Sequence, residues 1–304
     1  MNSREEINKE IHQEIEQEEK ENKRKKTTIF IFKIILYIII VFSLFYIYTI
    51  YISTNGLLFK EKRIITKKIP NSFDSLKIIH FSDLHFGSTI DINDLKKIII
   101  NINERTPDLI IFTGDLIEEE YTISDEEIEE LIKTLKKLSA NIGMYAINGD
   151  EDDDNFTTIM KQCGFTVLDN NSDLIYKDSN TPILITGISS IKKGQNIEKA
   201  FNTYLQNNSL YHIVLMHEGD TFKELEGKYN IDLILAGNSL NGQICLTKDI
   251  CFIRRENSYT YFKEYYQLGN TEMFISSGIG SDAIGFRFGA RPSINFFRFS
   301  TPNK

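Results

Sequence analysis

The sequence predicts a layered α/β domain preceded by one transmembrane helix. Three observations predict it: a 19-residue apolar run, short apolar segments alternating with helical periodicity, and acidic or imidazole side chains where those segments end. Of 304 residues, 41% are hydrophobic and 26% charged, which suffices for a buried core and excludes wholesale disorder. Five prolines and 17 glycines exclude a collagen-like chain, and three cysteines are too few for a disulfide scaffold.

Between Lys26 and Lys60 the one charge is Lys33, and Ile34 to Ile52 is mostly Ile, Leu, Phe, Tyr and Val. That length crosses roughly 30 Å of hydrocarbon. The run is longer than a secretory signal core and exits through Tyr51, Ser53, Thr54, Asn55 and Gly56 without a small-residue cleavage site, so an uncleaved anchor is expected. A core helix would keep a polar face, and this segment has none. The resulting division is a charged tail over 1–26, a transmembrane helix over 27–53, a linker over 54–72 and a domain over 73–304. Ile7, Ile11 and Ile15 give the tail a thin stripe, that of a solvated, fraying helix. Five Lys/Arg lie on each flank of the helix. The denser Lys23–Lys26 cluster abuts it, with Lys33 at its start, which favours a cytoplasmic N-terminus and a domain outside the cell.

The formal charge of -8 is unevenly spread. Residues 1–26 contribute about -1, Lys33 +1 and residues 60–68 about +4, leaving about -12 on residues 69–304. Such a domain repels phosphate backbones, so nucleic acid is not an expected partner; the membrane is.

Within the domain, Leu76–Asp83 and Asp108–Asp115 read as buried strands that each end at an acidic residue. Leu95, Ile98, Ile99 and Ile102 recur at helical spacing between them. A second helix starts at Ser124, with Glu127 completing a capping box and Ile128, Leu131, Ile132, Leu135 and Leu138 on one face. Further strands are expected over Gly143–Asp150, Pro182–Ile188, Tyr211–His217 and Ile231–Gly237, and hairpins from Gly242 onward.

In layered α/β sheets, ligands bind beyond the carboxyl ends of the strands. Asp83 and His85, Asp115, Asp150 and Glu151, His217, and Asn238 all stand at such ends. Converging carboxylates and imidazoles hold hard or borderline divalent cations, and two cations about 3.5–4 Å apart suit phosphoester hydrolysis. A solvated surface turn is the simpler reading of residues 153–155. For Arg287 and Arg291, ordinary ion pairs compete with phosphate binding and are favoured. A two-residue turn at Lys248-Asp249 would put Cys245 and Cys251 on opposite faces of a hairpin, so free thiols are expected rather than a bridge.

HFSDLHFG, PDLIIFTGDLIEE and IVLMHEGD, in this order and spacing, resemble the D-x-H, G-D and isolated-His blocks of calcineurin-like metallophosphoesterases, in particular their membrane-anchored bacterial members. The resemblance runs on through IDLILAGNSLNGQI to SSGIGSDAIGFRFGARPSINFFRF, over about residues 73–300. It implies a layered β-sandwich flanked by helices and a divalent metal, Mn2+ or Mg2+, at one or two sites per chain. The implied metal ligands are Asp83, His85, Asp115, Asp150, His217 and Asn238, with Glu151 in the place of the leaving-group acid. The substrate class it implies is a phosphomonoester, phosphodiester or pyrophosphate, lipid-linked ones included.

Two blocks depart from the family pattern. G-N-H-[DE] is here Gly149-Asp150-Glu151-Asp152, and G-H-x-H is Gly237-Asn238-Ser239-Leu240, so three family histidines are missing. Asp150 keeps an oxygen donor and adds charge; Leu240 supplies no donor. Two readings stay open at this stage: a membrane-anchored phosphoesterase with a reduced metal site, and a pseudo-phosphoesterase that keeps the fold as a binding module.

Overall fold

The computed structural model describes residues 4–54, 56–202, 204, 209–247, 249–281 and 285–302, and it divides into two units, 1–49 and 50–304. In the first unit, α1 (Arg4–Ile47) runs without a break through both the charged tail and the apolar run. No Gly or Pro interrupts residues 1–47, and Glu16–Lys20 and Glu21–Lys25 pairs one turn apart support the charged half. The tail is therefore the first half of one helix. In the apolar half, the large side chains are exposed on every face.

Among the described residues, the second unit has twelve strands in two six-stranded sheets. The first contains β1 (Leu58–Ile65), β2 (Lys77–Phe81), β3 (Leu109–Phe112), β4 (Gly143–Ala146), β5 (Thr166–Val167) and β12 (Ser293–Ser300), in the order β1-β12-β2-β3-β4-β5. The second contains β6 (Asn171–Ile175), β7 (Ile183–Gly187), β8 (His212–Met216), β9 (Leu233–Ala236), β10 (Tyr265–Leu268) and β11 (Thr271–Ile275), in the order β10-β11-β9-β8-β7-β6. Strands β2 to β5 run parallel, as do β7 to β9 with β11.

Alternation along the strands builds the layers. Leu109 and Ile111 of β3, Ile213 and Leu215 of β8, and Leu233 and Leu235 of β9 fill the core between the two sheets. Their neighbours Ile110 and Phe112 turn outward to α2 (Ile92–Asn103), α3 (Asp125–Leu135) and α4 (Phe156–Gln162). On the far side, Val214, Met216, Ile234 and Ala236 pack under Phe201, Tyr204 and Phe222. Both helix starts are capped: Asp91 accepts from Asn93 and Asp94 N–H, and Ser124 with Glu127 forms the capping box expected from the sequence. The result is the β-sandwich flanked by helices.

Two expectations need correction. Residues 58–65 belong to the expected linker, yet they form β1, an edge strand parallel to β12. Their charges hid them: Lys60 and Lys62 pair with Glu264 and Glu61 with Arg298, so a strand half exposed to solvent reads like a polar connector. Cys245 and Cys251 form a disulfide. Leu246 N–H donates to the Ile250 carbonyl, which places Cys245 directly opposite Cys251, one residue away from the register that a two-residue turn would give. The Lys248 of that expected turn lies outside the described residues.

His80 and His212 are buried away from water, and burial pushes both imidazoles down to about 3. His80 meets Thr113 Oγ1 at 3.0 Å; His212 meets Thr186 Oγ1 at 2.9 Å and stacks on Tyr204, with Lys68 adding a small repulsion. A histidine lowered in the folded state binds more protons when unfolded, so stability is full above about 6.5 and falls as pH drops toward 3. From pH 7 to pH 5 each should cost about 2 kcal/mol of unfolding free energy. Urea titrations should show His212→Gln losing less stability than the parent over that interval; identical losses would exclude His212 as a source.

Candidate metal centre

The parallel strands β2, β3, β4, β8 and β9 are each followed, within a short loop, by a residue singled out from the sequence. The backbone there is bent into the left-handed region at Asp83 (φ 49°), His85 (φ 43°), Asp115 (φ 60°), Asn238 (φ 61°) and Leu240 (φ 48°). Non-glycine residues adopt such angles at a cost of order 1–3 kcal/mol, and clusters of them mark functional sites. Cross-links fix the bends: Asp83 N–H donates to the Gly114 carbonyl, Leu84 N–H to that of Asp115, and Gly280 N–H to that of Asp83.

Asp83, His85, Asp115 and His217 are all fully buried. His217 Nδ1 lies 2.6 Å from the Thr113 carbonyl, which only accepts, so Nδ1 donates and Nε2 faces the site. Nε2 is 3.1 Å from both Asp115 Oδ2 and Asp150 Oδ1. His85 Nδ1 lies 3.0 Å from Glu118 Oε2 and 3.2 Å from Glu151 Oε2. Among the described residues, two groups have ligand atoms close enough to share one ion: Asp83, Asp115 and His217, and His85, Asp115 and Glu151. Asp83 Oδ1, both His85 ring nitrogens, Asp115 Oδ2, Glu118 Oε2 and Glu151 Oε2 are buried with no well-directed hydrogen bond, and beyond the ion-pair contacts just given they have no hydrogen-bond partner among the described residues. Such atoms are costly to bury unless a cation binds them.

Electrostatics follow from this crowding. Burial opposes a charged His217, but Asp115 and Asp150 outweigh it and hold the imidazole well above its usual range. Burial works against the Asp115 anion too, and there His217 and His85 prevail and keep it ionised. Asp150 is only partly buried; that burial raises it, while His217 and Lys192, whose Nζ is 2.7 Å from Oδ2, hold it below the usual carboxylate range.

Asn238 stands just beyond β9, and the atom it could offer a cation is its amide oxygen Oδ1. Its Nδ2 donates to the Glu256 carbonyl and to Ser258 Oγ at 2.9 and 3.0 Å, so its amide nitrogen ties β9 to a loop. Leu240 is buried, and a Cβ on Gly278 would lie 2.4 Å from Leu240 Cδ2 and 3.0 Å from Asp83 Cβ, so the leucine fills space beside the site. Arg287 is buried among the carbonyls of Ser277, Gly280 and Ala290 and Ser281 Oγ, and Arg291 donates to the Gly56 carbonyl; these contacts brace loops.

Four participants escaped the sequence reading. Asp152 accepts the N–H groups of Asp115, Leu116 and Gly149 and so locks β3's end to β4's, while burial and the Asp115 charge push its carboxyl up to about 7. Glu118 backs His85. Arg255 Nη1 lies 3.1 Å from Glu151 Oε1, and Lys192 meets Asp150. The buried position of Asp152 beside exposed Asp153–Asn155 separates a structural acid from the expected surface turn. Three residues past Asp115, Glu118 had a sequence signal in its spacing; Arg255 and Lys192 arrive from distant loops and had none.

Residues 76–241 match the family described as calcineurin-like phosphoesterase. The Bacillus subtilis metallophosphoesterase YkuE is 31% identical over 263 residues, covering 85% of this chain and 91% of that protein. This chain belongs to the calcineurin-like phosphoesterases. A Danio rerio transmembrane protein with a metallophosphoesterase domain is 23% identical, covering 77% of this chain and 55% of its own length. The Chlamydia muridarum UDP-2,3-diacylglucosamine pyrophosphatase LpxG is 25% identical over 59% of this chain and 68% of that protein.

The metallophosphoesterase site tolerates no side chain at Gly149. A Cβ there would lie 2.1 Å from Asp115 Oδ1, 2.6 Å from Asp115 N and 2.8 Å from His217 Cε1. Gly149→Ala should therefore destabilise the domain by about 1–3 kcal/mol and weaken Mn2+ binding by at least about tenfold. Thermal melts in chelator and calorimetry with Mn2+ separate the two effects. Parent-like values in both would mean that Gly149 does not press on Asp115.

Proposed function

We propose that this protein is a membrane-anchored phosphoester hydrolase that works with one tightly held divalent cation, Mn2+ or Mg2+. The observation carrying this reading is the uneven distribution of unpartnered atoms. Asp83 Oδ1 and His85 Nε2 have no hydrogen-bond partner and His85 Nδ1 and Glu151 Oε2 have only each other and Glu118 beside them, whereas in the opposite half Lys192 already neutralises Asp150. Asp83, His85 and Asp115 hold the cation, and Glu151 takes the ligand place that Leu240 cannot fill. Its grouping with His85 and Asp115 supports this, as does its contact with Arg255, the contact of an anion. His217 and Asp150 form the weaker second half.

Three oxygen-bearing ligands and one imidazole suit a hard ion better than zinc. When bound, a divalent cation supplies Lewis-acid polarisation of the phosphoryl group and a deprotonated water at neutral pH. The chain's own contribution is positional. Glu118 orients the His85 ring and Asp152 holds the Asp115 backbone, while His217 keeps its Nδ1 proton on the Thr113 carbonyl. The adjoining 230 Å³ cavity is lined by Glu118, Glu119, Glu151, Asp152, Asp153 and Lys193, so a phosphate enters it only when that acidity is offset. A lipid-linked phosphoester or pyrophosphate fits an enzyme carrying a bilayer-length helix, and the LpxG relative supports that class.

Calorimetry should find about one Mn2+ per chain bound well ahead of a second. Asp115→Asn should weaken both sites, and Glu151→Gln should lower affinity at the tighter one by about 10- to 100-fold. Were Glu151→Gln to bind Mn2+ like the parent while losing only hydrolysis of an activated phosphodiester, Glu151 would be the proton donor instead. No metal and no turnover in the parent would favour a binding module.

The domain is proposed to lie outside the cytoplasm. Lys23–Lys26 beside the helix support this, and the Cys245–Cys251 bridge adds an independent argument, because disulfides persist in oxidising surroundings. Protease added to intact cells should remove residues beyond the helix and spare the N-terminal tail; a protected domain would reverse the orientation.

A further inference from the structure

The Cys245–Cys251 hairpin has two unlike faces. Cross-strand partners share a face, and faces alternate along each strand. Cys245 pairs with Cys251 and points to Gly242, where a Cβ would lie 2.8 Å from Cys251 Sγ. Leu246 pairs with Ile250, and Phe252 N–H donates to the Ile244 carbonyl, so Leu246, Ile250 and Phe252 lie on the other face. All three are exposed, Leu246 by 64%, Ile250 by 53% and Phe252 by 70%, and Tyr259 nearby in sequence by 61%. The hairpin's root is fixed by the disulfide and by Cys245 N–H donating to the Phe288 carbonyl.

Beside that root opens a cavity of 580 Å³, lined among others by Leu58, Lys60, Lys62, Lys263, Tyr265 and Arg291. Its lining carries four cations against two carboxylates, and although Lys60 and Lys62 pair with Glu264 and Lys263 with Asp249, the lining keeps an excess of two positive charges in a domain that is otherwise acidic. Leu58 follows Ile52 by six residues, at most about 20 Å of extended chain.

We infer that this surface docks the domain on the bilayer that its own helix crosses, Leu246, Ile250 and Phe252 entering the headgroup region and the basic cavity taking an anionic lipid headgroup. The inference rests on the membrane-anchor reading. Charge complementarity argues for it: a domain that carries about -8 over residues 58–304 is repelled by an anionic leaflet except where basic residues collect. Apolar side chains on a fixed hairpin add the buried area that interfacial binding needs.

The chain contains no tryptophan, so Phe252→Trp places a single reporter on the hairpin. Tyr176→Trp is the control, because Tyr176 follows β6, at the sheet edge opposite β10, and is 54% exposed. Full-length chain is reconstituted into vesicles of phosphatidylglycerol and phosphatidylcholine with brominated acyl chains. The Phe252→Trp variant should lose most of its indole emission relative to unbrominated vesicles, the loss should shrink in phosphatidylcholine alone, and the Tyr176→Trp variant should keep its emission. If the chain floats with the vesicles but the hairpin reporter is quenched no more than the control, the docking surface is wrong while the anchor stands. Equal quenching with and without phosphatidylglycerol would overturn the headgroup role of the cavity. A chain that does not float would overturn the anchor and this inference together.

Discussion

Four fully buried ionisable side chains, Asp83, His85, Asp115 and His217, meet where parallel strands end, and the domain is organised around the cost of burying them. An unpaired buried charge costs several kcal/mol, which is a large share of a domain's net stability. Opposite charges offset part of that cost, as between His217 and Asp115. Backbone donors offset more where Asp152 receives three N–H groups. What remains unsatisfied includes Asp83 Oδ1 and His85 Nε2, and a cation is the partner proposed for them. The left-handed bends of five residues at three strand exits follow from the same constraint, because the chain must turn sharply to aim short side chains at one point.

Much of the fold could be read from hydrophobic runs because the central strands are buried on both faces. Leu109–Phe112, His212–Met216 and Leu233–Ala236 have little choice of structure: four- or five-residue apolar runs between polar turns read as buried strands. Edge strands were harder. β1 carries Lys60, Lys62 and Arg63, and β6 carries Asn171, Ser172 and Asp173, so neither has the periodicity of a half-buried strand. The disulfide failed for a different reason: a one-residue change of loop length reverses which face a cysteine occupies, and composition says nothing about loop length.

In the site, the motif residues were legible because each sits immediately after a strand, where sequence order and spatial position coincide. The supporting residues were not, because Lys192 and Arg255 reach the centre from loops 42 and 104 residues away from their partners. Asn238 shows the converse. Its position is the expected one, yet nothing in the sequence told that its amide nitrogen would donate to the Glu256 carbonyl and the Ser258 hydroxyl.

The departures from the family pattern are mutually compensating. Asp at 150 adds a negative charge, and Lys192 meets it at 2.7 Å. Leu240 removes a donor next to Asp83, and Glu151 brings a carboxylate to His85, with Arg255 balancing it. Sequence drift after loss of cation binding would act first on the buried carboxylates and imidazoles, since each destabilises the domain once nothing pairs with it. Here those residues persist in strained backbone, with glycines at 114, 149 and 237 leaving room for them. Strain of that kind survives where a ligand offsets it, which is a further argument for the proposed cation site over a binding module.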